Sequence, residues 1–114
     1  MSHPYLHHAL TREQEIRLLK IERSGSEPLF SISHYNLEDA PRYEALSYVW
    51  GSSDQPHRLQ LANDAGYIPL TDNLKQAFQD LPWLLETEHI WIDQICINQR
   101  DETERGHQVA LMAP

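Results

Sequence analysis

Asp93 follows an apolar run, His89 to Ile92, in the stretch "EHIWIDQICINQRDETE". A core strand has no need of a carboxylate there, and burying one without partners is costly. Two roles are open to it. It can accept hydrogen bonds from a ligand hydroxyl such as that of a ribose, or it can accept the backbone N–H groups of "QICINQ" and so hold that loop. Asn98 and Gln99 close the triplet Ile95-Cys96-Ile97 with two amides, which can contact a ligand, cap a helix or lock the loop. A second polar cluster is Trp50-Gly51-Ser52-Ser53-Asp54. Glycine permits close approach of a ligand to the backbone, but the same residues are also ordinary turn chemistry.

Other reactive side chains carry less. Cys96 acts as a nucleophile only as a thiolate beside a base; between two isoleucines it reads as a small buried hydrophobe. His3, His7 and His8 have metal-like spacing if helical, yet Pro4 makes a solvated tail the simpler reading. The acids of "DETE" suit a helix N-terminus through the dipole alone. Four scattered glycines make no phosphate cradle. The residues therefore suggest no catalytic set and no metal site. The ligand-binding candidates are Trp50, Gly51, Ser52, Asp93 and Asn98.

The elements that must position these residues can be read from periodicity and punctuation. Residues 1–14 read as a flexible leader. "EIRLLKIERS" and "LFSISHYN" alternate and predict an N-terminal β-hairpin. "YEALSYVWG" predicts a strand at 43–51, and "HRLQLANDAGYIPL" a second hairpin around "ANDAG". From Thr71 the period becomes helical: Leu74, Ala77, Phe78 and Leu81 share one face, Thr71 is the N-cap and Pro82 the stop. A strand at His89–Asp93 and a loop to Gln99 come next. A second helix then starts with Asp101 and Glu104 at capping-box spacing, with Val109 and Met112 facing the core. Two strands joined through a helix make a right-handed β-α-β unit with parallel strands. Their carboxyl ends share one sheet edge, where open α/β folds bind ligands. "VWGSSD" and "DQICINQ" both lie at that edge.

With 114 residues the chain holds one small domain. Its formal charge is −8, from 9 Lys and Arg against 17 Asp and Glu, and residues 71–114 carry 8 of the acids with 3 bases. That balance argues against nucleic acid or an anionic membrane as partner. A single cysteine excludes an intrachain disulfide and fits a reducing compartment. No run is long enough to span a bilayer and the first residues are no secretory signal, so a soluble cytoplasmic protein is expected.

Side by side, "YEALSYVWG", "TDNLKQAF", "WIDQICINQRD" and "ERGHQVALM" resemble the heterokaryon-incompatibility (HET) domain of filamentous fungi, with "EIRLLKI" resembling the approach to it. The pattern rests on Tyr43, Leu46, Ser47 and Tyr48, then on Trp91, Ile92, Cys96, Ile97, Gln99 and Asp101, and finally on Glu104 and Gln108. The resemblance covers roughly residues 15–112 and, as members continue into a further strand and helix, implies the N-terminal portion of a truncated domain. It implies an α/β fold, a partial TIR-like parallel sheet with flanking helices preceded by the N-terminal hairpin. It further implies a part in non-self recognition and programmed cell death, with other HET or TIR-like domains, or a second copy, as partners. Some TIR-like domains cleave NAD⁺ with a glutamate on a later helix. That position would lie beyond Pro114, so the resemblance leaves NAD⁺ as a substrate or ligand and assigns no catalytic residue here.

Overall fold

The computed structural model describes residues 3–11, 13–23, 27–46, 51, 54–85 and 87–112. Strands β1 (Glu15–Glu22) and β2 (Leu29–Asn36) pair antiparallel along their whole length, from Glu15 opposite Asn36 to Glu22 opposite Leu29. The predicted hairpin is therefore present. It does not merely precede the sheet, however: β1 also pairs antiparallel with β6 (His89–Ile92) through Leu19 and Lys20. Strand β3 (Glu44–Leu46) completes the sheet, parallel to β6, with Ala45 opposite Trp91 and Leu46 opposite Ile92. The order β2-β1-β6-β3 makes a mixed sheet with β1 and β6 inside it. A central strand is covered on both faces, and Glu15 to Leu19 are buried without a break.

The parallel pair expected from the sequence is β3 and β6, connected through a second hairpin and a helix. Strands β4 (His57–Gln60) and β5 (Tyr67–Leu70) form a separate two-stranded sheet. Its turn places Asn63 (φ 58°), Asp64 (φ 57°) and Gly66 (φ 102°) in the left-handed region, conformations that Asn, Asp and Gly tolerate best. Helix α1 (Asp72–Leu84) begins as predicted, with the Thr71 hydroxyl accepting the Leu74 N–H at 3.3 Å. It does not stop before Pro82, which sits inside its last turn. The terminal carbonyls find another partner: the Arg23 guanidinium donates to Pro82, to Leu85 at 3.2 Å and to Thr87 at 2.7 Å. Orphan carbonyls at a helix C-terminus need such donors.

Two boundaries differ downstream. β6 ends at Ile92, and the segment expected as a loop starts with a single helical turn, α2 (Asp93–Cys96). Helix α3 (Glu102–Met112) follows, and the Asp101 carboxylate accepts the Glu104 N–H at 3.0 Å. The capping box is only half made, because the Glu104 side chain turns inward instead. Val109, expected in the core, is 58% exposed; Glu104 and Gln108 hold the buried face, with Leu111 and Met112 packed against the core.

The reason for that inward face is Arg17. It stands in the middle of β1 with no exposed surface. Its Nη1 and Nη2 donate to both carboxylate oxygens of Glu104, each at 2.8 Å. The same nitrogens also reach the Cys96 carbonyl at 3.0 Å and the His8 carbonyl at 2.6 Å. Glu104 Oε2 additionally accepts the Asn98 N–H at 2.6 Å. One bidentate pair thus joins β1, the end of α2, α3 and the leader. Breaking a buried pair on one side strands a charge, so Arg17→Met or Glu104→Leu alone should cost about 3–5 kcal/mol. The double variant should recover most of that loss. Urea melts of the four proteins, combined as a double-mutant cycle, measure it; additive losses would mean the two groups act independently.

Candidate functional site

A cleft of about 260 Å³ opens beyond the carboxyl end of β6. One wall is the chain leaving that strand: Gln94, Asn98, Gln99 and Arg100. Gln55, from the connection after β3, faces it together with Ile68 and Pro69 of β5. The remaining wall is the leader, Pro4 to His7. No carboxylate is among these lining residues, in a chain with 17 acids and 9 bases. The cleft presents amides, an imidazole, a phenol and the Arg100 guanidinium. Such a surface favours neutral or anionic groups able to accept hydrogen bonds.

The post-β6 wall is tightly determined. The Asp93 backbone carbonyl accepts the Gln99 side-chain amide at 2.7 Å and the Ile97 N–H at 3.3 Å. Gln99 therefore ties the turn back to the end of β6. Asn98 combines a backbone bond to Glu104 with a side-chain oxygen that accepts the Arg100 N–H at 3.2 Å. The Asp93 carboxylate is half-buried, and no described residue donates to it. The loop is held by that residue's main chain, not by the carboxylate.

The leader wall is docked through backbone and rings. Tyr5 N–H donates to the Tyr67 carbonyl at 2.7 Å, and Tyr67 N–H to the His3 carbonyl at 2.8 Å. A Cβ on Gly66 would collide with that His3 carbonyl, so the close approach requires glycine. His7 hydrogen-bonds the Ile95 carbonyl at 2.9 Å and meets the Tyr5 ring edge-on at 5.0 Å.

Of the expected ligand-binding residues that are described, Gly51, Asp93 and Asn98, Asn98 alone is brought to the cleft lining. Trp50 and Ser52 lie outside the described residues, as do Ser47 and Tyr48 of the motif. Gly51 has φ 65°, and a Cβ there would come within 2.9 Å of the Asn73 amide. Trp91, Ile92, Cys96 and Ile97 are core, whereas Tyr43 and Leu46 pack on it half-buried. Burial pushes the Cys96 thiol up to about 12, so it stays protonated and unreactive. Gln108 spans back to the Glu15 carbonyl at 2.9 Å.

Tyr5 and Arg17, not singled out from the sequence, matter here, and so does His7, which is docked on the Ile95 carbonyl and is no solvated tail. Arg17 had a visible signal, a cation in the middle of an apolar strand, which demands a buried acid. Tyr5 and His7 had none, since their partners lie far along the chain.

The sequence model of the family described as "Heterokaryon incompatibility protein (HET)" matches residues 43–114, more than half of the chain. A similar protein is "Heterokaryon incompatibility protein 6, OR allele" of Neurospora crassa, 45% identical over 83 residues. That alignment takes in 63% of this chain and 12% of the relative, so the chain spans a small part of that protein's length. No solved structure matches the chain.

Three partly buried histidines make stability pH-dependent. Burial holds His7, His34 and His89 below their ordinary 6.5, with the Arg17 charge adding to the shift at His7 and His34 and Lys20 at His89. A lowered folded value means the unfolded chain takes up protons first. The contribution is complete above the unfolded value and is lost as pH falls through the folded ones. Urea midpoints should therefore fall from pH about 7 to about 5, and His7→Gln should shrink the slope. A midpoint unchanged by acid would overturn this account.

Proposed function

The chain belongs to the heterokaryon-incompatibility (HET) family, and from that premise we propose that it is a recognition module of a fungal non-self response that leads to cell death. In this reading the module is non-catalytic and acts by docking another HET or TIR-like domain at the cleft beyond β6. The observation that carries it is the cleft's composition and place. Its outgoing wall, Gln94 to Arg100, belongs to the segment that the family model matches. It is free of carboxylates and held in shape by the buried pair of Arg17 and Glu104. The parallel pair of β3 and β6, with α1 between them in the chain, supports a TIR-like ancestry for that edge.

The non-catalytic part has its own support. The described cleft lining offers no acid, Glu104 has both oxygens engaged, and Cys96 is fully buried as a neutral thiol. Purified chain incubated with NAD⁺ should release no nicotinamide above a buffer blank. Release that tracks the pure folded chain and changes with Asn98→Ala would replace the docking reading with an enzymatic one.

Docking itself is tested by co-purification with a full-length HET protein. The chain should be retained, and Arg100→Glu, an exposed change at the cleft rim, should weaken retention by about tenfold. Equal retention of both proteins would remove the cleft from the interface. Failure to form any complex would sink the docking reading.

A further inference from the structure

A second cavity, sharing no lining residue with the cleft, lies where the two sheets meet α1. Its volume is about 180 Å³. Phe30 from β2, Leu59 and Leu70 from the second hairpin and Phe78 from α1 form its floor, and all four belong to the buried core. Phe30 and Phe78 meet edge to face with centroids 5.7 Å apart, so the floor is aromatic and shaped by a defined contact. The pocket is therefore an opening onto the core with an apolar base.

Its rim is cationic. Arg58 and Lys75 both line the mouth and both are exposed. Neither is paired with a carboxylate among the described residues. Arg58 is held instead by a ring, its guanidinium carbon 4.2 Å from the Tyr67 centroid. That contact positions the charge and leaves its hydrogen-bonding edge available. The lining contains no acid, although the chain as a whole carries a charge of −8. The two rim cations give an anion a local attraction at this mouth that the net charge of the chain does not.

We propose that this cavity binds a small apolar carboxylate, an arylacetic or branched aliphatic acid, with its ring or branch on the aromatic floor and its carboxylate between Arg58 and Lys75. The volume sets the size: a cavity of roughly 150 Å³ suffices for benzene, so one ring or one branched chain fills this pocket. The two rim cations set the charge, and the apolar floor adds burial that a bare inorganic anion cannot use. The site is independent of the cleft, and its failure would leave the docking reading untouched.

The experiment is a ¹H–¹⁵N titration of the full chain with phenylacetate and, separately, with phenylacetamide, its neutral isostere. Phenylacetate should give saturable shifts at residues 28–30, 58–59 and 75–79, and bind about fivefold or more tightly than the amide. Arg58→Gln with Lys75→Gln should bring the acid down to the affinity of the amide. Both changes are at exposed side chains, and the comparison of acid with amide on the unaltered protein decides the matter even if the double variant folds poorly. Non-saturable shifts, shifts centred elsewhere, or equal affinity for acid and amide would each overturn the proposal.

Discussion

A guanidinium in the middle of a central strand must be neutralised where it stands, and the whole molecule is arranged around doing so. Arg17 is sealed from water, and a desolvated cation is tolerable only with a well-oriented anion and further acceptors. Glu104 supplies the anion in a bidentate fork, the geometry arginine favours. The carbonyls of Cys96 and His8 add acceptors for Nη1 and Nη2, while the buried Nε has no partner among the described residues. Each partner comes from a different part of the chain, so α2, α3 and the leader are placed relative to the sheet by one side chain. The inward turn of Glu104 also explains the half-made capping box: the carboxylate cannot serve both the helix end and the strand.

The candidate site inherits its shape from that constraint. Glu104 Oε2 fixes the Asn98 N–H, and Gln99 ties the same turn back to Asp93, so the outgoing wall is rigid before any ligand arrives. The opposite wall is built differently, from a leader laid along the edge of β5 and joined to α2 through His7. Such a wall rests on few contacts, and its imidazole is disfavoured as a cation by burial and by Arg17. Acid therefore acts on the leader wall sooner than on the wall held by the ion pair.

Charge is distributed with the same logic across the surface. Acids dominate the composition, yet neither cavity is lined by one. Exposed carboxylates also have local structural partners, such as Asp72 with His57 at 2.7 Å and Asp101 at the start of α3. An acid-rich exterior with acid-free recesses favours solubility of the whole and selectivity for anions or acceptors at the openings.

Periodicity and punctuation were enough to find both hairpins, the helix that starts at Thr71 and the parallel pair of β3 and β6, because these depend on neighbours in sequence. The order of residues also carried the family likeness, through blocks whose strand, cap and core positions are local. What local pattern could not reveal was that β1 sits beside β6, that Pro82 lies within α1, or that Glu104 faces inward. Those outcomes were decided by partners far along the chain: Arg17 for Glu104, Arg23 for the carbonyls of the α1 C-terminus, Tyr67 and Ile95 for the leader. A buried polar group announces in the sequence that it needs a partner. Only the tertiary structure chooses which one, because desolvation is satisfied by proximity in space and carries no information about distance along the chain.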